Sequence, residues 1–184
     1  MKDSFKELGI VPPILEALEE MGFEEPTQVQ AEAIPHILNG EDVIVMSKTG
    51  SGKTAVFGVS MLQRIDPEAP GPQALILTPT RELAVQIDGD LKQMAKHMPH
   101  KTVAVYGQHN INTEITALKA APAIVTGTPG RVNDHIKHGA LITKNIRFLV
   151  LDEADRMLDM GFIDQVRRII RTLSRDRITL LFSA

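Results

Sequence analysis

The sequence predicts an α/β domain with a mainly parallel central sheet and helices on both faces. Short apolar runs typical of buried strands alternate with amphipathic stretches along the 184 residues. One such stretch carries apolar residues spaced by 4, 4, 3 and 4 positions, which places them on one helix face: Leu83, Ile87, Leu91, Met94 and Met98. This alternation favours right-handed βαβ units, and such sheets bind ligands at the carboxyl ends of their strands.

Six apolar runs are the strand candidates, at residues 43–46, 74–78, 102–106, 123–126, 146–151 and 178–182. A second helical face repeats at Ile163, Val166, Ile170 and Leu173. The Pro- and Gly-rich segment 66–72 is predicted to be a loop within one domain of residues 1–184, since this length suits a single core. The chain stops directly after its last predicted strand, so we expect it to be part of a longer protein.

Composition sets limits on function. The formal charge of −3 provides no global attraction for nucleic acid, so local features would have to hold any polyanion. The absence of cysteine excludes disulfides and cysteine-ligated zinc. No apolar run reaches the ~18–20 residues that span a bilayer, and the N-terminus lacks a secretory signal, so we expect a cytoplasmic protein with no membrane partner. The six histidines show no metal-ligand spacing and are predicted to lie mostly in loops or on solvent faces.

A glycine-rich segment, Gly50-Ser51-Gly52-Lys53-Thr54, follows the apolar run 43–46. A strand that leads through such a turn into a helix surrounds a phosphate group with backbone N–H groups and the positive end of the helix dipole. In this arrangement Lys53 reaches the β- and γ-phosphates and the Thr54 hydroxyl ligates Mg²⁺. The full phosphate-loop pattern has glycine where this chain has Ser47. The segment predicts binding of a nucleoside triphosphate.

An acidic tetrapeptide, Asp152-Glu153-Ala154-Asp155, follows the predicted strand 146–151. In phosphate-loop enzymes, an acid at such a strand end holds Mg²⁺ beside the loop's threonine, and a second carboxylate takes the proton of an attacking water. We therefore predict Lys53, Asp152 and Glu153 as catalytic residues. The alternative is a solvated acidic turn that caps the next helix.

These segments together resemble the DEAD-box ATP-dependent RNA helicases, over essentially the whole chain. The resemblance implies a RecA-like phosphate-loop NTPase fold, the first of the family's two RecA-like domains, with ATP and Mg²⁺ as cofactors. Joined to its second domain, such a protein hydrolyses ATP to separate short RNA duplexes or to remodel RNA–protein complexes. Ser183-Ala184 resembles the start of the family's Ser-Ala-Thr motif, cut before its threonine. The family pattern implies that Asp155, Ser183 and Ala184 couple the ATP site to the RNA face.

The N-terminal region 3–31 resembles the family's adenine-recognition motif, through Gly22 to Thr27 and then Gln30, with Phe5 as its aromatic residue. A glutamine amide matches adenine N7 and N6 together, which favours ATP over GTP. The alternative is an exposed Gln30 and a Phe5 that only anchors the core. The predicted ATP-binding residues are Phe5, Thr27, Gln30, Ser47, Lys48, Thr49, Gly50, Ser51, Gly52, Lys53 and Thr54.

Two further segments resemble the family's RNA-binding motifs. They contribute Pro79, Thr80 and Arg81, and Thr128, Gly130 and Arg131. Both follow a predicted strand and begin a helix, so free N–H groups and these side chains can hold a sugar-phosphate backbone without reading its bases. Thr80 and Thr128 are also good N-caps, and the two roles are compatible. Gly107-Gln108 stands where the family has two glycines, which makes these two residues doubtful RNA contacts.

Two other classes remain open at this point. A small-molecule kinase shares the phosphate loop, although nothing after Asp155 indicates a lid or an acceptor pocket. An ATP-gated RNA clamp would use the same residues without unwinding. For the chain alone we expect a monomer that binds nucleotide but hydrolyses it barely and does not unwind RNA, because the second domain supplies the arginines that accelerate hydrolysis.

Overall fold

The computed structural model describes residues 4–48 and 50–184, and these residues contain a six-stranded parallel sheet. Its strands run in the order β1-β6-β5-β2-β4-β3. They are β1 Val43–Met46, β2 Ala74–Leu77, β3 Thr102–Val105, β4 Ile124–Gly127, β5 Phe148–Leu151 and β6 Ile178–Ser183. Every predicted strand is present. The largest difference lies at β5, which begins at Phe148 rather than Ile146.

Helices connect the strands and cover the sheet. They are α1 Pro12–Glu20, α2 Gln28–Leu38, α3 Lys53–Arg64, α4 Arg81–Met94, α5 Ile111–Lys119, α6 Pro129–Lys137, α7 Ala154–Asp159 and α8 Ile163–Thr172. Over the range that the structure covers, none of these helices is long and apolar enough to cross a membrane. The predicted fold class, a mainly parallel sheet with helices on both faces, is confirmed.

The core has one apolar cluster on each face of the sheet. The first cluster packs the four helices α1, α2, α3 and α4 against the sheet. It includes Phe57 of α3, whose ring lies edge to face with that of Phe182 of β6 at a centroid distance of 5.2 Å. The second lies under α5, α6 and α8 and includes Val132 and Ile169. The face predicted for α4 is buried at Ile87, Leu91 and Met94, whereas Met98 lies beyond the end of the helix.

The edge strand β1 departs from this pattern on one of its faces. Ile44 and Met46 are 71% and 74% exposed, although the intervening Val45 is buried. Side chains alternate between the two faces of a strand, so one face of β1 lies bare while the other joins the core. The register pairs Ile44 with Leu181 and Met46 with Ser183 of β6.

Two histidines are buried, His100 and His135. The expectation of loop or solvent positions is wrong for His135, which lies within α6, whereas His100 lies in the loop between α4 and β3 as predicted. Each has a polar partner that compensates for burial, since His100 Nε2 lies 3.1 Å from Ile65 O and His135 Nε2 lies 2.7 Å from Glu114 Oε1.

Two methionines provide a matched test of this packing. Met61 of α3 is fully buried and Met46 of β1 is largely exposed. Met61→Ala leaves a cavity and should lower the free energy of unfolding by about 2–5 kcal/mol. Met46→Ala should change it by no more than about 0.5 kcal/mol. Urea unfolding of both variants measures the two values, and equal losses would contradict the assigned burial.

Candidate nucleotide-binding site

Two loops and the end of β6 meet at the carboxyl edge of the sheet because β6 lies between β1 and β5. The register aligns Met46 with Ser183, and Leu151 with Leu181. The loops after β1 and β5 and the end of β6 therefore border one cleft of about 580 Å³. Its lining includes the following predicted residues: Gly50, Gly52, Lys53, Thr54, Asp152, Glu153, Asp155, Ser183 and Ala184. The structure thus brings together side chains that lie about a hundred positions apart in sequence.

The phosphate loop requires its glycines. Gly50 and Gly52 have φ angles of 83° and 86°, in the left-handed region that other residues rarely adopt. A Cβ on Gly52 would lie 2.2 Å from Gln30 Nε2. Gly52 is followed directly by the first turn of α3, so the free N–H groups of that helix begin inside the loop.

Lys53 joins the loop to the neighbouring strand. Its Nζ donates a 2.7 Å hydrogen bond to the carbonyl oxygen of Ser183. The backbone N–H of Ser47 donates to the same oxygen at 3.1 Å. The ammonium group is therefore held at the floor of the cleft, at the end of β6.

The first carboxyl group after β5, that of Asp152, has a raised pKa. Asp152 is 8% exposed, and burial, with the nearby Glu153 carboxylate, raises its pKa to about 6, although Lys53 acts in the opposite direction. Glu153 has a φ angle of 52°, a left-handed conformation that a non-glycine residue adopts at a cost. Its carboxylate pairs with Arg156 at 3.2 Å.

The N-terminus of α2 clamps the phosphate loop. Gln30 is fully buried; its Oε1 accepts from the N–H of Thr27 at 2.9 Å and its Nε2 donates to Gly52 O at 3.1 Å. Thr27 Oγ1 donates to Ser51 O at 2.9 Å. The alternative interpretation, in which Gln30 is an exposed helix residue, is therefore wrong. Recognition of adenine by Gln30 stays a prediction, and in this structure both ends of its amide are engaged.

Phe5 lies in the core rather than at an open surface. It is buried, and its ring meets that of Phe23 edge to face at 6.1 Å. This position corresponds to the core-anchor alternative, and stacking on a purine stays a prediction. Lys48 is exposed and Ser47 is half-buried. Thr49 lies outside the described residues.

The donor groups of the cleft suit a magnesium-bound triphosphate. The hydroxyl of Thr54 and the carboxylate of Asp152 are the hard oxygen ligands that Mg²⁺ prefers. Ser51 Oγ is buried without a hydrogen-bond partner, within the turn that would surround a phosphate. We therefore consider that the residues present fit both ATP and Mg²⁺.

Four cleft residues were missed by the sequence analysis. They are Leu83, Gln86 and Asp90 of α4 and Arg156 of α7. The first three are spaced by 3 and 4 positions, so they share one helix face, but the sequence does not reveal that this face borders the phosphate loop. Burial raises the pKa of Asp90.

The first predicted RNA-binding segment begins α4. Pro79 is buried, and Thr80 Oγ1 accepts from the N–H of Leu83 at 3.2 Å, which confirms its capping role. Arg81 is bound within the protein, where its Nη1 donates to Gln108 Oε1 at 2.6 Å and its Nε pairs with Glu82 at 2.9 Å. Gln108 itself has a φ angle of 61°.

The second predicted segment, at the start of α6, is anchored by a buried carboxylate. Arg131 is 13% exposed and donates from Nη1 to Glu114 Oε1 at 2.9 Å and to His109 O at 3.2 Å. Glu114 is also bonded to the Tyr106 N–H, His109 and His135. Burial alone would raise the pKa of Glu114, but the hydrogen bonds from His135, Tyr106 and His109 hold it below its usual value.

This network leaves the start of α6 accessible beside the anchored arginine. Thr128 and Gly130 are half-buried, and the Thr128 side chain makes no capping bond although Pro129 occupies the first helical position as predicted. Arg131 therefore fixes the loop after β3 to α6. Direct contact of Arg131 with RNA stays a prediction.

A phosphate loop that faces an acidic strand end across a parallel sheet defines a phosphate-loop nucleotide-binding domain. The chain belongs to the DEAD/DEAH box helicase family, whose model matches residues 27–184. The resemblance to this family is thereby confirmed.

Relatives in bacteria are similar across nearly the whole chain. The ATP-dependent RNA helicase DeaD of Escherichia coli K12 is 50% identical over 182 residues, which are 98% of this chain and 29% of that protein. The DEAD-box ATP-dependent RNA helicase CshA of Bacillus cereus is 45% identical over 98% of this chain and 34% of that protein. The chain therefore spans about a third of the length of these curated relatives.

Solved structures agree with the fold. A DEAD box protein from the hyperthermophile Methanococcus jannaschii matches all of this chain and 50% of its own, with a TM-score of 0.94 and 43% identity. Saccharomyces cerevisiae Dbp5, solved with Gle1, matches all of this chain and 47% of its own, with a TM-score of 0.91 and 37% identity. These matches favour a helicase over a small-molecule kinase.

Asp152→Asn tests the electrostatics of the cleft. A carboxyl with a raised pKa binds its proton more tightly in the folded state, so the wild-type domain should lose stability as the pH rises from about 4 to about 6. A rise in the pKa of Asp152 from 3.8 to about 6 corresponds to at most about 3 kcal/mol. Asp152→Asn should therefore raise the free energy of unfolding at pH 7.5 and leave it nearly unchanged at pH 4.

Urea unfolding at the two pH values measures this difference. Asp159→Asn is the matched control, because Asp159 is exposed on α7 outside the cleft, and it should have little effect at either pH. An equal effect of Asp152→Asn at both pH values would contradict the raised pKa.

Proposed function

We propose that the chain is the N-terminal RecA-like domain of an ATP-dependent RNA helicase and holds Mg-ATP in the cleft between the phosphate loop and Asp152. One observation carries this proposal: Lys53, Thr54, Asp152 and Glu153 line the same cleft at the carboxyl edge of the sheet. Membership of the DEAD/DEAH box helicase family supports it. The relatives named above are ATP-dependent RNA helicases, and their activity comes to this chain as part of the proposal.

Each group in the cleft has a proposed task. The N–H groups of the loop and Lys53 hold the triphosphate, and Lys53 exchanges its bond to Ser183 O for a phosphate oxygen. Thr54 and Asp152 hold Mg²⁺, which when bound neutralises charge on the phosphate oxygens. Glu153 orients the attacking water and accepts its proton.

The adenine would lie beside α2. A glutamine amide both donates and accepts, so Gln30 recognises the N6 and N7 edge of adenine, and this selects ATP over GTP. Gln30 and Thr27 also bond to the backbone of the phosphate loop. The side chain that would recognise the base therefore also helps to fix the shape of the loop.

RNA would lie at the same edge of the sheet, over the starts of α4 and α6. Thr80, Arg81, Thr128, Gly130 and Arg131 are proposed to hold the sugar-phosphate backbone of one strand through contacts that read no base sequence. Asp155, Ser183 and Ala184 border the ATP cleft, and Ser183 O is bonded to Lys53, which supports a coupling role.

Hydrolysis and unwinding would require a second RecA-like domain. Its arginines would complete the cleft, and an arginine finger is worth about 10³–10⁵ in rate in related phosphoryl-transfer enzymes. The 184-residue chain alone should therefore bind nucleotide with very slow turnover. Its monomeric state and cytoplasmic location stay predictions.

Lys53→Ala tests the nucleotide site. The variant removes the ammonium group that would bind the β- and γ-phosphates, so ATP affinity should fall at least about a hundredfold, a loss of roughly 3 kcal/mol. Calorimetric titration of the chain with Mg-ATP measures it. Lys119→Ala removes an equal charge from the exposed end of α5 and should leave the affinity unchanged. If Lys53→Ala binds ATP as wild type does, the phosphate-loop assignment is wrong.

Gln108→Gly tests the RNA face. In the structure Gln108 Oε1 accepts a 2.6 Å hydrogen bond from Arg81 Nη1, and removal of this side chain leaves Nη1 available to a phosphate while the pair of Arg81 with Glu82 remains. We expect affinity for single-stranded RNA to rise by about two- to fivefold, the equivalent of one modest hydrogen bond. Fluorescence anisotropy with a labelled oligouridine measures the change.

Ala121→Gly is the matched control for backbone strain. Ala121 has a φ angle of 55°, close to that of Gln108, but it follows the C-terminal end of α5, whereas Gln108 precedes the start of that helix. This variant relieves similar strain without releasing a cation, so its RNA affinity should equal that of wild type. Equal affinities for the Gln108 and Ala121 variants would contradict a role of Gln108 in restraining Arg81.

A further inference from the structure

A concentration of positive charge lies on α8 and on the segment that follows it, away from the cleft. Residues 163–177 contain five arginines and two aspartates, within a chain whose formal charge is −3. Arg167, Arg168 and Arg171 are exposed. Across residues 4–48 and 50–184, no carboxylate lies within ion-pair distance of these three side chains. Arg167 and Arg171 are four positions apart on one helix, where like charges repel.

One of these arginines, Arg168, lines an open groove between α6 and α8, and Arg171 lies three positions further along the same helix face. Asp134 of α6 also lines the groove and is its one carboxylate among the described residues. The groove has a volume of about 690 Å³, and Lys137 of α6 and Arg168 of α8 both line it. Lys137 is also exposed and, within the described part of the chain, has no carboxylate partner. The floor is polar in part, because Gln165 also lines the groove and its Oε1 is buried without a hydrogen-bond partner.

The groove begins at the second proposed RNA-binding segment. Gly130 of that segment lines the groove, and a Cβ on Gly130 would lie 3.8 Å from Gln165 Nε2. The Asn133 side chain donates to Gln165 O at 3.1 Å, which fixes α6 to α8 at this end. From Gly130 to Lys137 the helix advances about 10 Å. That length accommodates two or three phosphates at the ~3.4 Å spacing of a nucleic-acid strand.

We propose that the α6–α8 groove is a second site for the RNA backbone, which takes the part of the strand that extends past Gly130. Lys137, Arg168 and Arg171 would neutralise its phosphates, with no reading of bases. This inference rests on the proposed function, because the groove is continuous with the segment assigned to RNA. That continuity favours RNA over an acidic protein partner.

The test compares RNA probes of two lengths on the 184-residue chain. A labelled oligouridine of about 6 nucleotides covers only the starts of α4 and α6, whereas one of about 12 nucleotides also reaches the groove. The variant combines Arg168→Gln with Arg171→Gln. Both side chains are exposed, so the substitutions should not disturb folding. Lys101→Gln with Lys144→Gln is the matched control, since it removes the same charge from exposed residues that precede β3 and β5 at the opposite edge of the sheet.

The groove variant should bind the longer probe about ten- to a hundredfold more weakly, and its slope of log K against log salt should fall by about 1.4. Its affinity for the shorter probe should stay within about twofold of wild type, and the control should match wild type with both probes. Equal losses in the groove variant and the control would overturn the proposal.

Two further outcomes are distinguished by this design. If wild type binds neither probe, the proposed RNA-binding function fails and the groove site fails with it. If wild type binds both probes and the groove variant does the same, only the groove site is wrong. A parallel titration with oligoglutamate tests for an acidic protein partner, and a loss of oligoglutamate binding in the variant without a loss of RNA binding would also overturn the proposal.

Discussion

The register of three adjacent parallel strands determines the candidate site. Because β6 lies between β1 and β5, the loop that carries Lys53 and the turn that carries Asp152 end at the same edge of the sheet. The bond from Lys53 Nζ to Ser183 O joins residues 130 positions apart and fixes the lysine between these two loops. A slip of one residue in this register would turn every side chain of the slipped strand to the other face and separate the groups.

The two neighbouring carboxylates of the cleft, Asp152 and Glu153, favour a bound cation. Burial and the neighbouring Glu153 raise the pKa of Asp152, and a metal ion beside both carboxylates would remove that penalty. At the proposed RNA-binding segments the cationic side chains already have partners inside the protein, since Arg81 and Arg131 are bonded to Gln108 and Glu114. RNA binding at Arg81, as proposed, would therefore replace an internal hydrogen bond, whereas Arg167, Arg168 and Arg171 of α8 have no ion-pair partner to lose among the described residues.

Much of the fold could be predicted because strand and helix periodicities are local properties of the sequence. The six strands and the face formed by Ile87, Leu91 and Met94 appeared directly in the spacing of apolar residues. The glycines of the phosphate loop were equally visible. Contacts between elements that are distant in sequence could not be predicted in this way. Periodicity does not reveal that Asp90 lines the cleft or that His135 is buried against Glu114. Gln30 shows the same limit, since its bond to Gly52 O depends on how α2 packs on α3.

The most direct test of the central claim is the position of a metal ion bound with nucleotide. Anomalous diffraction from crystals of the chain grown with Mn²⁺ and a non-hydrolysable ATP analogue locates that ion without ambiguity. We predict a single manganese peak between the Thr54 hydroxyl and the Asp152 carboxylate, with Lys53 Nζ moved from Ser183 O to the triphosphate. Manganese and nucleotide bound elsewhere, with the bond from Lys53 to Ser183 intact, would contradict the account.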